Sequence, residues 1–494
     1  MGIEELLNEK GYEAIIGLEI HTELQTRSKM FCGCRADVFG LPPNSAVCPV
    51  CLGLPGTLPV PNRTAVEWTI KIALALNCEI NRFSQFHRKN YFYPDMPKNY
   101  QISQYDYPLG VNGYLEIEAS KGLRRIRIHR VHLEEDTGKL VHVGKTGRIS
   151  EADYSLVDFN RAGVPLVEIV TEADIRSPEE ARVFMQTLRA VLLALEVSDC
   201  NMEEGSLRCD ANVSIRPAGS KEFGTKTEIK NLNSFRALEK GLEYEIRRQL
   251  ELVLNGEKVV QETRHWDDAN KRTVTLRTKE EAHDYRYFPE PDMVPLEISD
   301  ELIEKIRREL PELPREKKDR FIKEYGIKEK DAGILVQDRE MAEFFEKAAS
   351  RSKNPQMIAN LILSDLLYYL NESGTWFSDT KITPEHLIEI ADLVESGIIS
   401  TKIAREIFGE MFKSGKMPSE IVKERGLEQI SDGALIAEVI KQVIAENPQA
   451  VADYRSGKKQ AVGFLVGQVM KKTQGKANPR LVTEKIAEFL DNPR

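Results

Sequence analysis

The chain has 494 residues, 41% hydrophobic and 30% charged, with a formal net charge of −9. Such a length exceeds the ~250–300 residues that one hydrophobic core supports, so several domains are expected. The acidity excludes a general binder of polyanions, and no apolar run reaches the ~20 residues needed to span a bilayer.

The opening MGIEELLNEKGYE is acidic and amphipathic, unlike a signal peptide, and Leu6 stands where myristoylation needs Ser or Thr. A soluble cytoplasmic protein with no membrane partner is therefore expected. Next comes IIGLEIHTEL, in which Ile16, Leu18, Ile20 and Leu24 alternate with Gly17, Glu19, His21 and Glu23. Period-two alternation predicts a strand with one face in a core and the other lined by two carboxylates and an imidazole.

Four of the seven cysteines follow at once, as FCGC and CPVC separated by thirteen residues. Short-spaced thiolate pairs brought together by a loop suit tetrahedral zinc, and four of them, Cys32, Cys34, Cys48 and Cys51, close the shell around a structural ion. Buried free thiols or a redox pair are the plainer reading, and the clustering argues against it.

A helix follows over NRTAVEWTIKIALALN, with Asn62 as cap. HRKNYFYPDMPKNYQISQYDYP then mixes His87, Arg88, Lys89 and Lys98 with five tyrosines, which suits a nucleotide or nucleic-acid surface or a structural Tyr/Pro loop. The strand-like LRRIRIHRVHLEED brings His129, His132, Glu134 and Glu135 together, but its periodicity slips near Arg130 and leaves open which glutamate faces inward. PLVEIVTE reads as a strand and SPEEARVFMQTLRAVLLAL as a helix opened by Ser177, Pro178 and Glu180. NMEEGS places Glu203 and Glu204 in a turn before LRCDANVSIR, where Arg208, Asp210, Asn212, Ser214 and Arg216 oppose an apolar face. TKTEIKNLNSFRALEKG runs from a strand with Lys226 and Lys230 into a helix capped by Asn233 or Ser234, and RTVTLRT is a further strand.

From Ser299 onward the periodicity is helical, with a break near GEMFKSGKMPSE, Gly409 to Glu420. From Asn447 to the end nine Lys and Arg stand against four Asp and Glu. The expected organisation is an α+β domain with a large antiparallel sheet over 1–295, a helical domain over 296–409 and a small helical tail over 410–494. Glu, Asp and His gathered on strands suit Mg²⁺ in phosphoryl transfer, or are solvated edge faces. The phosphate loop G-x-x-x-x-G-K-[ST], the dinucleotide G-x-G-x-x-G after a strand and the G-x-S-x-G elbow are missing.

YEAIIGLEIHTELQTRSKMFCGC, CPVCLGLPGTLPVPN, RKNYFYPDMPKNYQISQY, HLEEDTGKL, DFNRAGVPLVEIVTE, MEEGSLRCDANVSIRP, KNLNSFR and DYRYFPEPD occur in this order. With the tail GKKQAVGFLVGQVMKKTQGKANPRLV, they carry a resemblance, over nearly the whole chain, to the B-subunit family of bacterial aspartyl/glutamyl-tRNA amidotransferases.

The resemblance implies a cradle domain shared in outline with the archaeal GatE type, then a helical domain and a YqeY-like tail that grip tRNA. It implies phosphorylation by ATP of the side-chain carboxylate of Glu-tRNA(Gln) or Asp-tRNA(Asn), then amidation by ammonia from an amidase-type glutaminase A-subunit, strapped on by a small C-subunit. Residue by residue, it implies Mg²⁺ on Glu19, His21, Glu134 and Glu204, zinc on Cys32, Cys34, Cys48 and Cys51, and a phosphate contact from Lys89. Glu135, Glu203 and Asp210 are the neighbouring carboxylates. Apart from the resemblance, the residues also fit a zinc-stabilised RNA-binding adaptor or a metal-dependent nuclease.

Overall fold

A computed structural model describes the chain except at residues 1, 145–151, 279–283, 376, 428–432, 457, 459, 474–476, 478 and 492–494. The chain forms two compact units, Met1–Pro314 and Arg315–Arg494.

In the first unit, β1 (Tyr12–Glu23) buries Ile16, Leu18 and Ile20 on one face and leaves Gly17, Glu19, His21 and Glu23 half-buried on the other. It lies at the centre of a sheet that has nine strands among the described residues. The order is β14 (Arg272–Thr278), β13 (Glu262–Asp267), β12 (Thr227–Lys230), β11 (Leu207–Pro217), β1, β10 (Pro165–Thr171), β7 (Gly122–Glu135), β6 (Gly110–Ala119) and β2 (Glu79–Ile80). Neighbours are antiparallel except β12 and β13. The apolar face joins one core with α1 (Ile3–Lys10), α2 (Arg63–Ala75), α3 (Pro178–Ala194), α4 (Phe235–Leu254) and α5 (Asp300–Arg308). Asn62 caps α2, and Ser234 rather than Asn233 caps α4. At α3, Ser177 accepts the Glu180 N–H while the Glu180 carboxylate reaches back to the N–H of Arg176.

Smaller strand groups complete the first unit. β15 (Phe288–Pro289), β4 (Phe86–Asn90) and β5 (Tyr100–Gln104) form a three-stranded sheet. β16 (Leu296–Glu297) pairs with β3 (Phe83–Ser84), and β8 (Lys139–Gly144) forms a hairpin with β9 (Ala152–Asp158).

The slip of periodicity near Arg130 is a β-bulge. Val170 of β10 faces Arg130, but Thr171 faces Ile128, so His129 is an extra residue. Asn112 of β6, at φ +54°, lies at the same level. Beyond the bulge, Arg130, His132 and Glu134 share the open face, while Val131, Leu133 and Glu135 share the other.

Two domain boundaries differ from the sequence expectation. Ile298, Ile303 and Ile306 bury into the first core, so the first unit runs past 295 to Pro314. The break placed between Gly409 and Glu410 falls inside a helix, Thr401–Ser414. Gly409 is there for close approach, since a Cβ would sit 2.5 Å from the Tyr369 hydroxyl, and the helix ends instead at Gly415, φ 73°. Among its described residues the second unit holds two hydrophobic cores, one over Phe321–Val422 and one over Ile436–Leu490. Of the basic residues of the tail, Lys459, Lys476 and Arg494 lie outside the described residues. No described helix is long and apolar enough to cross a membrane.

Candidate active site and thiol cluster

Antiparallel register puts directly opposed residues on the same face. His21 is opposite Glu168 on one side and Arg208 on the other, and Glu168 is opposite His132. Glu19 is opposite Asp210, and Asn212 is opposite Glu228. The open face of β7, β10, β1, β11 and β12 is thus a continuous field of charged and polar side chains.

At its centre the ligand atoms of His21, Glu134 and Glu168 lie within 4.8 Å of one another. His21 Nε2 is 3.8 Å from Glu134 and 3.6 Å from Glu168. Buried His132 supports both carboxylates, its Nε2 at 3.1 Å from Glu168 and 3.7 Å from Glu134. The Ser103 hydroxyl of β5 donates to Glu134 at 2.9 Å. Burial opposes ionisation of Glu168, yet the charge and hydrogen bond of His132, then those of His21, hold it well below the usual carboxylate range. Burial likewise pulls His21 down, but its hydrogen bond to Glu168 and the charges of Glu168 and Glu134 leave it raised. The Lys89 ammonium is lowered by burial, but Glu134, Tyr287, Glu168 and Tyr285 together raise it above its ordinary value; it also lies 5.1 Å over the Tyr285 ring.

Two carboxylates and an imidazole at this spacing fit a small divalent cation, whose octahedral shell of ~2.0–2.1 Å bonds sets adjacent donors about 3 Å apart and opposite ones about 4 Å apart.

Glu168 is the residue that the sequence reading passed over. Its signal was a carboxylate between apolar neighbours in PLVEIVTE, a buried position that needs a charged or hydrogen-bonding partner, here His132. Glu19 lies two residues from His21 on the same face and accepts a hydrogen bond from Asn212 at 3.0 Å. Asp210 is held by Lys230 at 2.6 Å. Glu135 points the other way and pairs with Lys98. Glu203 and Glu204 are exposed in a turn organised by Asn201, whose side chain accepts both their N–H groups. Glu204 does not join His21 and Glu134 in the cluster. It lines a separate cavity of about 890 Å³ together with Glu23, Arg161, Asp199 and Ser206. Beside Glu23, Asp136 accepts from Arg208 at 2.6 Å.

The four cysteines also converge, with ligand atoms within 4.8 Å of one another. Cys48 and Cys51 sulfurs are 3.9 Å apart; a tetrahedron with ~2.3 Å zinc–sulfur bonds has edges of about 3.8 Å. A hydrogen bond from Cys32, the N–H of Cys48 and the Lys29 ammonium pull Cys51 down to about 4 against burial, whereas burial and Cys48 push Cys34 up to about 11. The four sulfurs and their spacing fit zinc.

Comparison with known proteins gives matches along both units. A profile described as the GatB/GatE catalytic domain matches residues 14–304, and one described as the GatB domain matches residues 343–490. The aspartyl/glutamyl-tRNA(Asn/Gln) amidotransferase B-subunit of Carboxydothermus hydrogenoformans is 55% identical over 479 residues, covering 97% of this chain and 99% of that protein. Proteins of the same name from Brevibacillus brevis and Thermotoga maritima are 55% and 53% identical, with the same coverage of both chains.

Proposed function

The chain belongs to the aspartyl/glutamyl-tRNA(Asn/Gln) amidotransferase B-subunit family, and on that premise we propose that the open face of its large sheet is where the carboxylate is activated and amidated. The activity is ATP-dependent conversion of tRNA-attached Glu or Asp into Gln or Asn, a ligase reaction of translation with glutamine as nitrogen source.

The observation that carries the assignment is the convergence of His21, Glu134 and Glu168 from three adjacent strands beside the Lys89 ammonium. These three residues would hold Mg²⁺, with Glu19 the next carboxylate along β1. The cation, when bound, offsets repulsion between ATP and the substrate carboxylate and stabilises charge on the transferring phosphoryl group. A substrate carboxylate oxygen attacks the γ-phosphorus and ADP leaves. Ammonia then attacks the acyl carbon, phosphate leaves, and the excess proton goes to phosphate or solvent. Lys89 supplies a fixed positive charge for the anions that meet there. Ser103 and His132 keep Glu134 and Glu168 aimed at the site. Tyr105 and Tyr287, stacked at 4.1 Å, continue through Tyr285 to Lys89 and suit the unpaired bases at the end of a tRNA.

The remaining parts follow the same reading. Ammonia comes from a glutaminase A-subunit held by a small C-subunit, because no self-contained glutaminase motif is evident in the sequence. The four cysteines hold a structural Zn²⁺, the helical second unit binds tRNA, and the assembly works in the cytoplasm. Reconstitution with both partner proteins, ATP and both misacylated tRNAs tests this; amide formation in the wild type and its loss in Glu134→Ala are expected. No ATP-dependent amide from either tRNA would overturn the reading.

A further inference from the structure

Lys29 is among the largest fully buried side chains of the molecule, 1% exposed. Its ammonium donates to the Ala46 carbonyl at 2.8 Å and to Cys51 Sγ at 3.7 Å. Among the described residues its ammonium has these two partners and no carboxylate. A buried ammonium without an anion is strongly unfavourable. Cys51 is the one group in reach that can carry negative charge, and it also accepts the N–H of Cys48 at 3.1 Å. Four thiolates around a divalent ion leave two excess negative charges in a partly buried loop. A fixed cation at Cys51 removes one of them.

We propose that Lys29 is the built-in counter-charge of the Cys32–Cys34–Cys48–Cys51 centre, so that metal retention and burial of this lysine depend on each other. The assignment rests on reading the four cysteines as a zinc site. The surroundings are built for both groups. The Lys29 N–H donates to the Cys34 carbonyl at 2.8 Å. Gly163, at φ +86°, packs over the pair, where a Cβ would lie 3.4 Å from Cys51 Cβ and 3.6 Å from Lys29 Cδ. From there the Met30 N–H donates to the Gly163 carbonyl and the Gly163 N–H to that of Asp136. The centre is thereby tied to the residue two places beyond Glu134.

The competing role is purely structural: Lys29 satisfies the Ala46 carbonyl and nothing more. The two separate once the metal is removed. Lys29→Met in the full chain is compared with wild type by zinc content, by competition with a chromogenic chelator and by thermal unfolding of zinc-loaded and stripped protein. Zinc affinity falls ~10–100-fold, the usual consequence of losing a group that supports a ligand. The loaded variant melts below wild type, and the stripped variant loses less, because without the metal-bound set of four thiolates there is less negative charge for Lys29 to offset. Should Lys29→Met fail to accumulate, the same change in a Cys51→Ser background decides, and there it raises the melting temperature. Unchanged affinity, or an equal loss of stability with and without zinc, overturns the role of Lys29 alone. A wild-type protein that holds no zinc overturns the centre and the counter-charge together.

Discussion

His132 and Glu168 face each other across β7 and β10, with Nε2 3.1 Å from Oε2. The same imidazole lies 3.7 Å from Glu134, so one buried ring fixes two carboxylates that came from distant parts of the sequence. Replacing Glu168 by Gln keeps the shape and removes the charge. Amide formation by the reconstituted enzyme should fall ~100-fold or more, the scale of losing one electrostatic stabiliser of a transition state. His132→Ala, which removes both the orientation and the charge that support Glu168, should cost about 10–100-fold. Binding of tRNA, read by filter retention, should hold in both; full activity in Glu168→Gln would remove this residue from the site.

Glu204 and His21 provide a contrast. The exposed turn that carries Glu204 lines a cavity apart from the cluster, so Glu204→Ala should leave amidation within about two-fold, as surface substitutions usually do. His21→Ala and Glu19→Ala should abolish it while tRNA affinity persists. Equal loss in all three variants would return Glu204 to the site.

Cys32→Ser removes one corner of the thiol tetrahedron. Zinc content by elemental analysis should drop towards zero, with lower folding yield and a lower melting temperature. Undiminished zinc would mean that the other three sulfurs suffice.

Glu23 gives a pH signature. Burial, then the charge and hydrogen bond of Asp136, push it up to about 8 against Arg208 and Arg161. A carboxyl raised on folding binds its proton more tightly in the native state. The stability it brings is complete below the unfolded value of ~4.3 and is lost as pH climbs to about 8. Asp136 is shifted the other way and titrates well below this window. In buffer free of divalent cations, Glu23→Gln should therefore lose less melting temperature than wild type between pH 5 and 8, where the slope lies. Parallel curves would mean that Glu23 is ionised in the folded protein at neutral pH.

How far the sequence revealed these sites depended on whether the signal was local. The cysteine spacing and the β1 alternation are local, so Cys32 to Cys51 and His21 could be read directly. Glu168 needed knowledge that β10 lies between β1 and β7, a pairing across more than a hundred residues that no local pattern records. Glu134 could not be separated from Glu135 because the bulge at His129 depends on its partner strand. The break expected over Gly409 to Glu420 falls at Gly415, while Gly409 serves close packing inside the helix.

That packing sets where the tail can be removed. Truncation after Leu427 keeps the core over Phe321–Val422 whole, whereas truncation after Gly409 cuts a helix and removes Met411, Ile421 and Val422 from it. The first should fold and bind tRNA more weakly, by ~10-fold, with a shallower salt dependence as phosphate contacts are lost. The second should be markedly less stable by circular dichroism. Wild-type tRNA affinity in the shorter protein would deny the tail its part.

A strand writes its two faces by the parity of residue number, and one extra residue inverts that parity. Upstream of His129, even positions such as Ile126 and Ile128 belong to the core; downstream, even positions such as His132 and Glu134 belong to the open face. Two adjacent glutamates with the same chemistry are thereby given opposite tasks, Glu134 beside His21 and Glu135 against Lys98. Their assignment is encoded in a count, so a length change of one residue between His129 and Glu134 would exchange them while leaving both in the sequence.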